Sequence, residues 1–261
     1  MYKEIDLSIF PPERETGLKN LYRYSMFEVM FYRPNLWEHS HRVSWLVEEL
    51  APVAQKYFDI DIEKARVLAL VHNDAEMITG DVQAGHKARM TEEKLKVIEL
   101  AEEKAIEILA EKYPKQVHGY EYRDLLMRAL KKDSIEAQLV MYTDKLDAIC
   151  ESMHELFAGN LSFIRSMMFY VDIFAQFPKK FPQLTSLLSN KDSPFVYIKD
   201  RTNLDKSEYK RYKQFDKPYT QDSIVLETDF PFYDSWKKMV IKRGKIDWLL
   251  NQRELLPKST S

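Results

Sequence analysis

Apolar residues recur at three- and four-residue steps along most of the first 190 positions, the signature of helices with one buried face. Val43, Leu46, Val47, Leu50, Val53, Ala54 and Tyr57 form one such face, predicting a helix over 41–58. Asp61 is placed to cap a second helix running to Ile78, with Ala65, Leu68, Ala69 and Val71 on its apolar side. Thr91-Glu92-Glu93-Lys94 opens a third, over 91–112, carrying Leu95, Ile98, Leu100, Ala105, Ile106 and Leu109. Further helices are predicted over 121–131 and, from a Ser134 cap, over 134–158. Residues 161–190 keep a helical pattern broken at Pro178 and Pro182.

The pattern then changes. Residues 191–235 are polar, aromatic and proline-punctuated, and predict irregular chain with a short strand at Ile224–Leu226. A last helix is expected from Ser235 to Glu254, before a frayed tail at Pro257–Ser261. Six glycines in 261 residues leave little for the tight turns of a sheet, so the expected class is all-α. The expected division is a helical domain over 1–190 and a C-terminal extension over 191–261 that serves as a lid or oligomer contact.

Charge narrows the function. Lys and Arg total 39 against 41 Asp and Glu, so the overall balance encodes no general affinity for a nucleic-acid backbone. No run approaches the roughly 18 consecutive apolar residues of a membrane span, and Met1–Gly17 has charges in place of a signal-peptide core. Cys150 is the single cysteine and has no internal partner for a disulfide. The expectation is a cytoplasmic protein without a membrane partner.

Four polar clusters stand out: Glu38-His39-Ser40-His41, His72-Asn73-Asp74-Ala75-Glu76, Gly80-Asp81 and Asp144-Lys145-Leu146-Asp147. Histidine with nearby carboxylates is the usual vocabulary of a divalent metal site. Taken singly, each is more often a surface or hydrogen-bonded group. The second cluster is the more telling one, because it ends the apolar run Val67–Val71. Polar groups carried inward by such a run need partners, at a cost of about 1–3 kcal/mol each when unpaired. A bound cation or a wet pocket meets that need. On a regular helix Glu76 lies about 40° from His72, Asn73 about 100° and Asp74 about 200°, so Glu76 shares the face of His72 and Asp74 points away. By the same phase His41 faces away from His39, and His154 lies too far along from Asp144 to join it. His86 and Lys87 read as an exposed loop that can line a pocket mouth, and Cys150 as a packing residue.

The order His39 … His72-Asn73 … Asp144 resembles the HD-domain superfamily, and within it the YfbR-like 5'-deoxynucleotidases. Trp37-Glu38-His39-Ser40, His72 through Asp81 with its Glu-x-x-Thr-Gly-Asp portion, and Thr143 through Asn160 carry the likeness, over residues 18 to 165. The resemblance implies an HD-domain helical bundle, with His39, His72 and Asp144 as metal ligands. It implies Glu76 as the catalytic carboxylate and Asp81 as a second acid near the sugar and leaving group. Arg23 and Tyr24 match the family's substrate-binding Arg-Trp pair after a one-residue shift. Where the family has Asp after the second histidine, this chain has Asn73. Asn73 is expected in that ligand position; an amide oxygen coordinates without adding charge, so a weaker or differently tuned site is expected.

The implied activity is metal-dependent dephosphorylation of (deoxy)ribonucleoside 5'-monophosphates. The divalent ion (Co, Mn, Mg, Zn or Fe) offsets phosphate charge and acidifies a bound water. Two alternatives remain open: nucleoside triphosphates or another phosphorylated metabolite as substrate, or a catalytically weakened nucleotide-binding protein. The family is commonly dimeric, so a homodimer is expected.

Overall fold

The structure, a computed structural model, describes residues 2–197 and 230–244. In chain order the helices are α1 (Pro12–Lys19), α2 (Leu36–Tyr57), α3 (Ile62–Val71), α4 (Glu76–Thr79), α5 (Ala84–Lys87), α6 (Glu92–Lys112), α7 (Tyr122–Lys131), α8 (Ile135–Phe157), α9 (Ile164–Lys180) and α10 (Thr185–Leu188). A further helix, Pro231–Gly244, closes the described chain. The one sheet among the described residues is a two-stranded hairpin, β1 (Gln116–Val117) with β2 (Tyr120–Glu121). Its turn residues His118 and Gly119 both have positive φ, 51° and 83°, as a two-residue primed turn requires. The protein is therefore all-α, as its sequence predicts.

Helices α2, α3 and α8 pack on one another at the centre, with α9 and the Pro231–Gly244 helix against α8. The predicted apolar faces of α2 and α3 point inward: Val43, Leu46, Val47 and Leu50 of α2 and Val67 and Leu68 of α3 are fully buried, as are Leu139 and Leu146 of α8. Side-chain caps set four starts. Asp61, as predicted, accepts from the Lys64 amide at the head of α3. Ser134 accepts from the Ala137 amide at the head of α8, and Thr91 from Lys94 at the head of α6. At α2 the Asn35 side chain accepts from the Glu38 amide while Glu38 reaches back to the Asn35 amide. That reciprocal cap starts α2 five residues before the predicted position 41, which brings His39 into the helix.

The predicted helix from Asp61 to Ile78 is interrupted. α3 ends at Val71, and a turn over 72–75 leads into the short α4. The cause is competition for carbonyls. His72 Nδ1 takes the Ala69 oxygen at 2.6 Å, and Arg14 donates to the Leu70 oxygen at 2.8 Å. Those are the acceptors that the amides of Asn73 and Asp74 would use in a continued α-helix. Asp74 N–H instead reaches Val71, and Glu76 N–H reaches Asn73, each one residue closer.

The helical run over 161–190 breaks at Pro182 but not at Pro178, which lies within α9: it comprises a 3₁₀ turn at Leu161–Phe163, α9, a second 3₁₀ turn at Pro182–Leu184, and α10. The expected strand at Ile224–Leu226 and the frayed tail lie outside the described residues. The final helix begins at Pro231, four residues before the predicted Ser235, and is described to Gly244. No helix among the described residues is long and apolar enough to cross a membrane.

Candidate metal centre

Three central elements bring the candidate ligands together. His39 projects from the second turn of α2, His72 caps the C-terminus of α3, and Asp144 sits in the third turn of α8. One ligand atom from each lies within 4.8 Å of the other two, although the residues span more than a hundred positions of chain. His39 is fully buried and Asp144 is 9% exposed.

The imidazole edges are set by their outer contacts. His72 Nδ1 is engaged by the Ala69 carbonyl, leaving Nε2 buried and without a partner. Burial pulls the His72 pKa down to about 4, so at neutral pH the ring is uncharged and Nε2 presents a bare lone pair. His39 Nδ1 meets Asp147 Oδ2 at 2.7 Å, while its Nε2 faces Asp144 Oδ1 at 3.1 Å. Burial opposes ionisation of Asp144, but Lys145, His39 and Arg23 hold its carboxyl well below the ordinary value. An anionic oxygen and two imidazole nitrogens, one of them an orphaned acceptor, form a donor set that fits a divalent cation.

Asn73 is 8% exposed, next to His72, with its amide NH₂ 3.4 Å from the Ser40 hydroxyl. Asp74 goes the other way. It accepts from Arg14 at 2.7 and 2.8 Å and from the Tyr122 hydroxyl at 2.7 Å, fully buried. Its carboxylate is thus paired with Arg14 and Tyr122, although the segment over 72–75 is a turn and not the regular helix from which its direction was expected.

Glu76 Oε2 is buried with no hydrogen-bond partner. Burial, reinforced by the negative charge of Asp81, pushes its pKa up to about 8. Such a carboxyl keeps its proton at neutral pH and can pass it on. Arg23 lies beside the same site. Its guanidinium is 4.0 Å from Asp144 Oδ1 and 3.2 Å from Glu151 Oε2. Tyr24, at a positive φ of 56°, turns inward instead; its hydroxyl donates to the Ala148 carbonyl at 2.7 Å, and its ring packs on Phe27 and Phe163. It has a packing place in the core and no open ring face. His41 and His154 are engaged elsewhere, by the Trp37 carbonyl and the Tyr233 hydroxyl. Lys87 pairs with Glu102.

Several participants carried no assigned role in the sequence. Asp147 backs His39 and is itself held by Arg42, whose Nε lies 2.9 and 3.2 Å from its two oxygens. Arg42 also donates to Glu151. Glu155 accepts the backbone amides of Phe31 and Tyr32 at 2.9 and 2.7 Å, tying down the loop that carries Arg23. The available signal is the spacing Asp144, Asp147, Glu151, Glu155, which puts four acids on one side of α8. Buried carboxylates in that arrangement demand cations or donors opposite.

The sequence profile of a family described as "5'-deoxynucleotidase YfbR-like" matches residues 16–180. A 5'-deoxynucleotidase of Yersinia pestis (strain Pestoides F) and one of Yersinia pseudotuberculosis serotype O:3 are each 31% identical over 137 residues. Those alignments cover 51% of this chain and 66% of the relatives, just under two thirds of their length. Among solved structures, a Pyrococcus horikoshii OT3 protein superposes with a TM-score of 0.53 at 24% identity, over 68% of this chain and 94% of its own. A Listeria innocua protein described as an HD-domain phosphohydrolase gives 0.54 at 19% identity, over 69% and 84%. These two likenesses establish a shared fold.

Proposed function

This chain belongs to the YfbR-like 5'-deoxynucleotidase family, and from that premise we propose that it is a metal-dependent phosphohydrolase acting on (deoxy)ribonucleoside 5'-monophosphates. The observation that carries the reading is the meeting of His39, His72 and Asp144 around one point, with the His72 Nε2 lone pair unpartnered. In this reading the three side chains hold a divalent ion and Asn73 flanks it. When bound, the ion offsets phosphate charge and acidifies water.

The chain's own groups divide the remaining work. Arg23 clamps a non-bridging phosphate oxygen, since a guanidinium presents two parallel donors to an oxyanion. Glu76, protonated at neutral pH before the ion enters, delivers a proton to the leaving 5'-oxygen. The charge of Asp81 helps to hold that proton on Glu76, and in this reading Asp81 serves the sugar and leaving-group side. His39 and His72 act through fixed rings, each tethered at Nδ1.

The test is a panel of nucleoside mono-, di- and triphosphates presented to metal-loaded protein, with the released phosphate species identified. Inorganic phosphate from monophosphates is expected, and Glu76→Ala should remove most turnover with metal content intact. No release from any monophosphate, or full turnover in that variant, overturns the reading. Asn73 supports a second reading, nucleotide binding without turnover, because it brings no charge to the ion. Turnover appearing only in Asn73→Asp would favour it.

A further inference from the structure

The family match stops at residue 180, yet the Pro231–Gly244 helix lies against α2 and α8. Phe232, Tyr233, Trp236, Met239 and Val240 bury its inner face. Arg243 fastens its far end, pairing with Glu48 and, at 2.9 Å, with Glu49 of α2. Between these anchors the Trp236 indole, 4% exposed, donates its Nε1–H to Asp147 Oδ1 at 2.6 Å.

The chemistry of that contact is unambiguous. An indole nitrogen only donates and an ionised carboxylate only accepts. The other Asp147 oxygen holds His39 Nδ1 at 2.7 Å. Arg42 donates to both oxygens, through Nε at 2.9 and 3.2 Å and through a terminal nitrogen to Oδ2 at 3.1 Å. The indole adds a further, short donor on Oδ1 and so helps to hold Oδ2 toward the imidazole. Groups behind metal-ligating histidines set ring orientation and basicity, and losing them typically weakens metal binding about 10–100-fold.

We propose that Trp236 is a positioning residue for the metal centre: a helix outside the family-matched segment delivers an indole N–H that fixes Asp147 and, through it, the His39 ring. The proposal rests on the metal-dependent reading above. It gives the C-terminal segment a task inside the core, distinct from a lid.

The experiment uses the full chain. Cobalt(II) affinity is measured by chelator competition, and the visible bands of the bound ion are recorded, for wild type, Trp236→Phe, Asp147→Asn and the double variant. Phenylalanine keeps an aromatic ring and removes only the donor. The expected result is about tenfold weaker cobalt binding and altered band intensities in Trp236→Phe, with no further loss when it is added to Asp147→Asn. Wild-type affinity and bands in Trp236→Phe, or independent losses in the double variant, overturn the proposal. If Trp236→Phe does not fold, the wild-type indole N–H resonances report instead. The Trp236 signal should move when zinc is added, and an unmoved signal overturns the proposal. Wild-type protein that binds no divalent ion would refute the metal-dependent reading itself, whereas a binding wild type with an unaffected variant refutes only the role of Trp236.

Discussion

Glu76→Gln isolates the cost of the buried carboxyl. Glu76 has its pKa raised from 4.5 to about 8, by burial first and by Asp81 second. Below pH 4.5 the folded and unfolded chains both carry the proton and the group is silent. Between 4.5 and 8 the unfolded chain releases it while the folded chain keeps it, so stability falls as pH rises. Above about 8 the loss is complete. At about 1.36 kcal/mol per pH unit the gap is worth roughly 5 kcal/mol at most, and about 3–5 kcal/mol once the site relaxes around the charge. Glutamine is isosteric and does not titrate. The assay is urea denaturation of the chelator-treated wild type and variant at pH values from 4.5 to 8.5. The stability of wild type minus variant should fall by about 3–5 kcal/mol over that range. His72 loses stability in the opposite direction, as pH falls from 6.5 toward its folded value of about 4, but it acts in both proteins and cancels in the difference. A flat difference, within about 1 kcal/mol across the range, would refute the burial argument and with it the proton-donor role of Glu76.

Other outcomes follow from the same geometry. Asp74→Asn leaves the Arg14 guanidinium buried without its counter-charge, so urea denaturation should show a loss of about 3–5 kcal/mol. Asn35→Ala removes the α2 cap and should cost about 1 kcal/mol in the same measurement. Asn73→Asp adds a charge beside His72, and calorimetric titration with zinc should show at least about tenfold tighter binding. Arg23→Lys replaces a planar fork with a point charge; KM for the nucleotide should rise while metal affinity stays within about twofold, read by steady-state kinetics and chelator competition.

Periodicity was a good guide to where α6, α7 and α8 run, because each begins at a side-chain cap or a turn; it was a poorer guide to burial in α6, where Ala105, Ile106 and Leu109 are buried but Leu100 is exposed. It failed at His72. The interruption there depends on Arg14, nearly sixty residues upstream, capturing the Leu70 carbonyl, and no local pattern contains that contact. The same arginine explains why Asp74, next to Asn73 and two residues from both His72 and Glu76, is spent elsewhere. Motif spacing selected His39, His72 and Asp144, and these three converge. Arg42 and Trp236 were not legible, since an arginine within a helix and a tryptophan far downstream give no sign of meeting the same aspartate. Tyr24 was assigned by likeness to a motif, but its positive φ sends the ring into the core.

The four acids along α8 also have a mechanical meaning. Asp144 faces the candidate ion, Asp147 the His39 ring, Glu151 two arginines, and Glu155 the amides of Phe31 and Tyr32. Eleven residues of helix separate the first from the last, about 16 Å of stiff rod. A rotation of that rod cannot be absorbed at one station; it must be felt at all four. The proposed ion site at one end and the grip on the Arg23 loop at the other thus share one helix, and on that reading amide exchange at Phe31 and Tyr32 should slow on addition of a divalent ion.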